Sequence, residues 1–257
     1  MELARLLKSF STAGIHPTHS TELDTLKSIR ELIINDRAKE KRILAIGECG
    51  LDYDRLHFAS KEIQIENFIN HFKLTEEFQL PMFLHLRNAD ADFLEIIKQN
   101  RSRFTTGVVH SFDSNLETLR QLINLDLYIG INGCSMKTAE NLSVIKEIPI
   151  DKLVIETDAP WCEIRPSHAS YPLIEFSKSD LLDNLKSFKQ YKKEKFVLGE
   201  MVKSRNEPCK LLEIISVLAN LKEMDPNELA DIIYDNTCRL FGSNFSEICL
   251  SPMNSNP

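Results

Sequence analysis

No stretch of about 18 consecutive apolar residues, the length a membrane-spanning helix needs, occurs in the chain, so no membrane partner is expected. Paired cysteines are missing as well. Cys49, Cys134, Cys162, Cys209, Cys238 and Cys249 are scattered with no CxxC pair, which argues against both a zinc ribbon and a disulfide framework. That usage suits a reducing intracellular compartment, nucleus or cytoplasm. Solenoid repeats and low-complexity tracts are absent. The opening MELARLLKSFSTAG is too polar, and its apolar part too short, to read as a signal peptide. Positive charge is also in short supply. The formal net charge is −7, whereas a protein that held DNA mainly by neutralising phosphates should be basic. A sequence-specific DNA-binding module is therefore disfavoured. A catalyst acting on nucleic acid would need bound cations to offset repulsion at its site.

What the chain does have is a regular alternation. Strand candidates lie at residues 9–15, 42–46, 82–85, 107–110, 127–131 and 153–156. Between them run amphipathic segments. One follows His19 with Leu23, Leu26, Ile29 and Ile33 on one face, and another follows Ser60 with Ile65, Phe68 and Phe72. Others cover 89–98, 115–123 and 138–146. Strand–helix alternation implies an α/β fold with a parallel sheet. Residues 163–205, rich in Lys, Ser and Glu, break the rhythm and read as a surface excursion within one domain covering 1–257. The C-terminal part offers two helices and no clear strand. One helix starts near Pro208, the other at Asp225, read as N-cap, with Pro226 first in the helix. Six strands suit an open doubly wound sheet or part of an eight-stranded barrel, and counting does not choose.

Four strands end in a metal-type ligand: ILAIGE in Glu48, MFLH in His85, VVH in His110 and LVIETD in Asp158. In a barrel of parallel strands the C-terminal ends open on one face, where active sites form. Two histidines and two carboxylates converging there make a mixed N/O set suited to divalent cations. Singly, each has an ordinary explanation as a core histidine, a helix cap or a solvated charge. Four such strand ends, with only the strand at 127–131 interrupting them, make a metal site as good a reading of the pattern as the ordinary ones.

In order along the chain stand GIHPTHS, AIGECGLDYDR, MFLHLRNA, VVHSFDS, LYIGINGC, LVIETDAPW and RNEP. Together they resemble the TatD family of metal-dependent deoxyribonucleases on TIM-type (β/α) barrels, above all its eukaryotic members, over residues 9 to 241. The resemblance implies Glu48, His85, His110 and Asp158 as metal ligands. Glu48 would lie between two ions, and Asp158 would orient or deprotonate a water. It places His16 and Arg87 near the substrate phosphate and Asn206 and Glu207 at the rim. The implied cofactors are one or two divalent cations, Mg²⁺ or Mn²⁺, with Zn²⁺ as the alternative. The implied reaction is hydrolysis of DNA phosphodiesters from 3′ ends. Related barrels hydrolyse amides and esters with similar ligands, although none of these strands ends in the lysine that a carbamylated site needs. A non-catalytic interaction protein is the reading from another class. Family members begin with a strand, a helix and a second strand ahead of the segment matching GIHP, so the resemblance implies a barrel lacking its first two strands. The open strand edges would invite self-association.

Of the remaining residues, Trp161 is expected to pack under a loop rather than stack on a base. His57, His71 and His168 lie off the strand ends, and no catalytic part is expected of them. Cys49 and Cys162 lack the local base a nucleophilic cysteine needs.

Overall fold

The structure, a computed structural model, describes residues 9–21, 25–175 and 188–242. Leu23, Cys249 and the middle of the excursion lie outside them. Six parallel strands form one sheet in chain order: β1 (Ser11–Ala13), β2 (Ile43–Asp52), β3 (Met82–Arg87), β4 (Gly107–His110), β5 (Tyr128–Ile131) and β6 (Leu153–Ile155). Between them run α1 (Thr25–Arg37), α2 (Lys61–Phe78), α3 (Asp90–Asn100), α4 (Leu116–Asn124) and α5 (Ala139–Lys146). Then follow α6 (Leu211–Lys222) and α7 (Pro226–Phe241). β2, β4 and β5 are buried on both faces, as parallel strands under helical crossovers must be. No described helix is long and apolar enough to cross a membrane.

The chain divides into two compact units, the first comprising residues 1–110, 120–128 and 235–257. Its core follows from α2. Ser60 caps the helix by accepting the Ile63 N–H, and Gln79 ends it in a left-handed conformation. The spacing of Gln64, Asn67, Phe68, His71, Phe72, Thr75 and Phe78 turns them all to the buried face. Phe68 meets Phe93 of α3 at a centroid distance of 5.4 Å, and Phe72 meets Phe104 at 5.7 Å. Leu74 and Phe78 pack with Ala13, Ile15, Ile29, Ile33, Ile43 and Ile46. Fully burying a side chain of this size contributes about 1.5–3 kcal/mol. His71 has a structural part, as expected. Its Nε2 accepts the Ile15 N–H at 3.0 Å and its Nδ1–H donates to the Asn67 carbonyl at 2.8 Å.

The second unit comprises residues 111–119 and 129–234. Ile129, Gly130 and Ile131 of β5 pair with Leu153, Val154 and Ile155 of β6. Helix α6 buries Ile214, Val217, Leu218 and Ala219. It is tied down by Asn220, which donates to the Leu173 carbonyl, and by Lys222, which donates to Ile148. Asp225 does cap α7, accepting the N–H groups of Asn227 and Glu228.

Three expectations are corrected. β2 and β3 run on to Asp52 and Arg87, because a backbone ladder does not need apolar side chains once it has begun. β1 is only Ser11–Ala13. The excursion at residues 163–205 contains strands, β7 (Gln190–Tyr191) and β8 (Met201–Val202), which pair with each other. At two residues each they are too short to leave a periodic signal.

Candidate metal centre

The centre in the first unit is built on β2. The strand opens with a buried apolar run from Ile43 to Ile46 and then passes through Gly47, Glu48 and Cys49. Pairing with β3 slips here. Gly47 lies opposite Phe83 and Cys49 opposite Leu84, so Glu48 is an extra residue. Such a bulge bends the strand and re-aims the side chain it carries. Flanking glycines make room for it. Gly47 (φ 145°) and Gly50 (φ 146°) approach β3 so closely that a Cβ would stand 2.1 Å and 2.0 Å from the Phe83 and His85 carbonyl oxygens. On the neighbouring strands His85 and His110 lie directly opposite each other in register.

These placements converge. Glu48 Oε1 lies 2.5 Å from His85 Nδ1 and 2.6 Å from His110 Nε2, and the two nitrogens are 3.2 Å apart. His16 Nε2 is 3.5 Å from the same oxygen, and its ring meets His85 edge-on at 4.7 Å. The turn before Pro17 holds His16, whose Nδ1 faces the Thr18 hydroxyl at 2.7 Å and accepts the Thr18 N–H at 3.2 Å. The ligating atoms of Glu48, His85 and His110 all lie within 4.8 Å of one another, as do those of His16, Asp52 and His85.

Asp52 was not singled out from the sequence. Its carboxylate is fully buried and stands 3.5 Å from His85 Nε2, a buried nitrogen with no regular hydrogen bond. The Asp54 N–H and the Arg55 guanidinium donate to that carboxylate at 3.1 Å, while Gln64 binds both backbone groups of Asp52. The only hint lay in GECGLD itself, a second carboxylate four residues after Glu48. Asp52 thus backs His85 from the side away from Glu48, the arrangement that fixes ring orientation in carboxylate–histidine–metal sites.

The electrostatics are those of a ligand set. Burial raises the Glu48 carboxyl, but hydrogen bonds from His110 and His85 outweigh it and hold the group well below the usual carboxylate range. Burial likewise works against the Asp52 charge and is outweighed by His85. Burial disfavours charged His85, yet Asp52 and Glu48 raise its pKa on balance. Burial, followed by the neighbouring His85, lowers His16 to about 4. Two imidazole nitrogens and a carboxylate oxygen crowded together supply the lone pairs a divalent cation would take.

Arg87, at the end of β3, donates from Nε to Asp54 at 2.7 Å in an exposed ion pair. Asp158, Asn206 and Glu207 belong to the second unit. Asp158 sits in a turn with φ 54° and accepts from the Cys162 thiol at 3.2 Å. Asn206 is buried. Its side chain donates to the Thr157 carbonyl at 2.8 Å, its N–H donates to Pro160 at 3.0 Å, and its Oδ1 accepts the Glu207 N–H. Glu156 accepts from the Ser111 N–H and from Asn132, holding together the loops after β4, β5 and β6. Burial pushes the Cys49 thiol up, and Cys134, then burial, push up that of Cys162, so neither is an activated nucleophile. Trp161 departs from expectation. It is 64% exposed rather than packed under a loop, with the Arg205 guanidinium 5.3 Å from its ring centroid. Its neighbours in the turn direct their hydrogen bonds to the backbone and leave the indole outside.

Parallel strands with helical crossovers, carrying a His–His–carboxylate cluster on adjacent strands, define the α/β class of metal-dependent hydrolases. Comparison with known proteins narrows this. The model of the family described as TatD related DNase matches residues 1–242. A deoxyribonuclease Tat-D of Schizosaccharomyces pombe is 40% identical over 238 residues, 90% of this chain and 74% of that protein. A 3′-5′ ssDNA/RNA exonuclease TatD of Erwinia tasmaniensis is 32% identical, covering 90% of this chain and 78% of that one. The crystal structure of a hydrolase TatD family protein from Entamoeba histolytica superposes with a TM-score of 0.80 at 31% identity, covering 90% and 74% of the two chains. The chain therefore belongs to the TatD-related DNase family, and its fold is the TIM-type α/β architecture of those hydrolases.

Proposed function

We propose that the protein is a divalent-metal-dependent deoxyribonuclease that hydrolyses DNA phosphodiesters exonucleolytically from 3′ ends. The observation that carries this reading is the convergence of Glu48, His85 and His110 on one point. One or two cations held there, Mg²⁺ or Mn²⁺ with Zn²⁺ as the alternative, would polarise the phosphoryl oxygen and lower the pKa of a bound water. Glu48 would present its two carboxylate oxygens as a bridging ligand. His85 and His110 would offer Nδ1 and Nε2 lone pairs, with Asp52 holding the His85 ring. His16, uncharged near neutral pH with its pKa at about 4, would donate a hydrogen bond towards a phosphate oxygen. Asp158, by the family pattern, would be the further ligand that takes the proton of the attacking water. Arg87 would contact the phosphate by exchanging Asp54 for substrate. Asn206 would keep the turn after Asp158 in place and, with Glu207, shape the rim. The polarity follows the bacterial relatives named as 3′-5′ exonucleases. The five described cysteines are free, in keeping with an intracellular setting, nucleus or cytoplasm.

The test is cleavage of a 5′-labelled single-stranded oligonucleotide by the purified chain. EDTA should abolish cleavage, Mg²⁺ or Mn²⁺ should restore it, and products should shorten from the 3′ end. Undiminished cleavage in chelator would refute metal dependence, and shortening from the 5′ end would refute the polarity.

A further inference from the structure

The chain has one tryptophan, and it stands in solvent. Exposure of the largest apolar side chain is unfavourable unless something covers it in use, since burial contributes roughly 25 cal/mol per Å² of apolar surface. Yet the indole is not on a loose loop. The Trp161 N–H donates to the Asp158 carbonyl at 2.8 Å. The next layer is Asn206, buried, which binds the carbonyls of Thr157 and Pro160 and so fixes Arg205 beside the same turn. Arg205 lies over the ring at a cation–π distance. With 64% of the residue still accessible, the ring has π surface left to offer.

A second observation points the same way. Although the whole chain is acidic, residues 188–205 carry six basic side chains, Lys189, Lys192, Lys193, Lys195, Lys203 and Arg205, against two acidic ones, Glu194 and Glu200. All six basic residues are exposed, and so are the aromatic rings of Phe188 and Phe196 between them. Solvent-facing aromatic rings interleaved with positive charge are what a protein presents to single-stranded nucleic acid. Bases stack on the rings and phosphates track the cations, without sequence preference.

We propose that Trp161, with Arg205 above it, is the stacking platform for one unpaired base of a single-stranded DNA substrate, and that the exposed lysines of residues 188–205 are the track its phosphates follow. This rests on the nuclease reading above and adds to it the surface that binds the single strand. Duplex DNA keeps its base faces stacked inside the helix and cannot use such a ring, so the platform selects single strands or frayed ends. Positive charge is thus concentrated in residues 188–205 of a chain that is acidic as a whole.

Binding is measured on the full chain in EDTA, where no cleavage occurs, by anisotropy of a 5′-fluorescein dT12 strand and by quenching of the single tryptophan. Quenching should saturate with the anisotropy change, and an abasic substitution at one position of the strand should remove it. Trp161→Ala should weaken binding about 5- to 100-fold, the loss expected when a base–aromatic stack is removed. Trp161→Phe should recover most of that loss. With Mn²⁺ present, Trp161→Ala should raise KM while leaving kcat within about twofold, which a merely structural defect would not do. The double variant K192E/K193E should lower the slope of log affinity against log salt by about 1.4, two phosphate contacts' worth. If Trp161→Ala binds and cleaves like wild type, the platform is wrong while the nuclease reading stands. If Trp161→Ala and Trp161→Phe are equally impaired, the ring does not act by stacking. Equal affinity of wild type for duplex and single strand also overturns the proposal. If wild type neither binds nor cleaves DNA, both readings fail.

Discussion

The two halves of the molecule prepare their functional groups by opposite means. In the first unit, Glu48, His85 and His110 project from adjacent strands, and their positions follow from sheet register and one bulge. In the second unit, Trp161 and Arg205 stand on loops, placed by side chains that bind loop carbonyls, Asn206 above all. Strand-borne groups are held by the whole sheet, as a metal centre requires, because ligand distances must be right to a few tenths of an ångström. Loop-borne groups tolerate looser placement, as befits contacts to a flexible strand of nucleic acid.

The sharpest way to break that comparison is to remove a strand-borne ligand. Glu48→Ala should lower DNA cleavage by more than about 100-fold, beyond the 10–100-fold that loss of an outer partner costs. His16→Ala should lose less, because it removes one substrate contact. Equal losses in single-turnover assays would undo the central place of Glu48. Next comes His71, which anchors the segment leading to His16. Burial lowers its pKa to about 4, so the folded state keeps it neutral. A histidine with a depressed folded pKa contributes stability that is complete above about 6.5 and lost as pH falls towards 4. That window is worth about 3 kcal/mol. Urea melts at pH 7.5, 6, 5 and 4 should show this decline in wild type and a shallower one in His71→Gln. Matching slopes would exclude His71 as the source.

A smaller effect tests the backing of the metal centre. Asp52→Asn should weaken Mn²⁺ binding about 10- to 100-fold by calorimetry while the fold stays intact. Unchanged affinity would leave Asp52 a purely structural buried acid. The smallest effect is expected at the surface. Arg87→Ala removes an exposed ion pair and should change stability by less than about 1 kcal/mol, whatever it does to KM for DNA. A larger loss in thermal melts would mean that the Arg87–Asp54 pair is structural.

The cluster of Glu48, His85 and His110 was legible in the sequence for a simple reason. A strand buried on both faces is an apolar run, and a charged or imidazole side chain at its end stands out against it. What was not legible depends on neighbours far away in sequence. Glu48 reads as the end of β2, yet the strand continues through it as a bulge, which appears only when β3 is laid alongside. Asp52 reads as a motif letter until His85 is placed above it. The exposure of Trp161 turns on what Asn206 binds, 45 residues later. In residues 163–205 periodicity had nothing to grip, since strands of two residues have no period.

The bulge at Glu48 also bears on how such a protein can be improved. Deleting that one residue would restore an unbroken ladder between β2 and β3, but the centre would lose the carboxylate that His85 and His110 share. Selection for a regular ladder alone would therefore drift towards inert variants at this position. Any library built from the chain needs a catalytic screen alongside that selection, because at Glu48 the two favour opposite sequences.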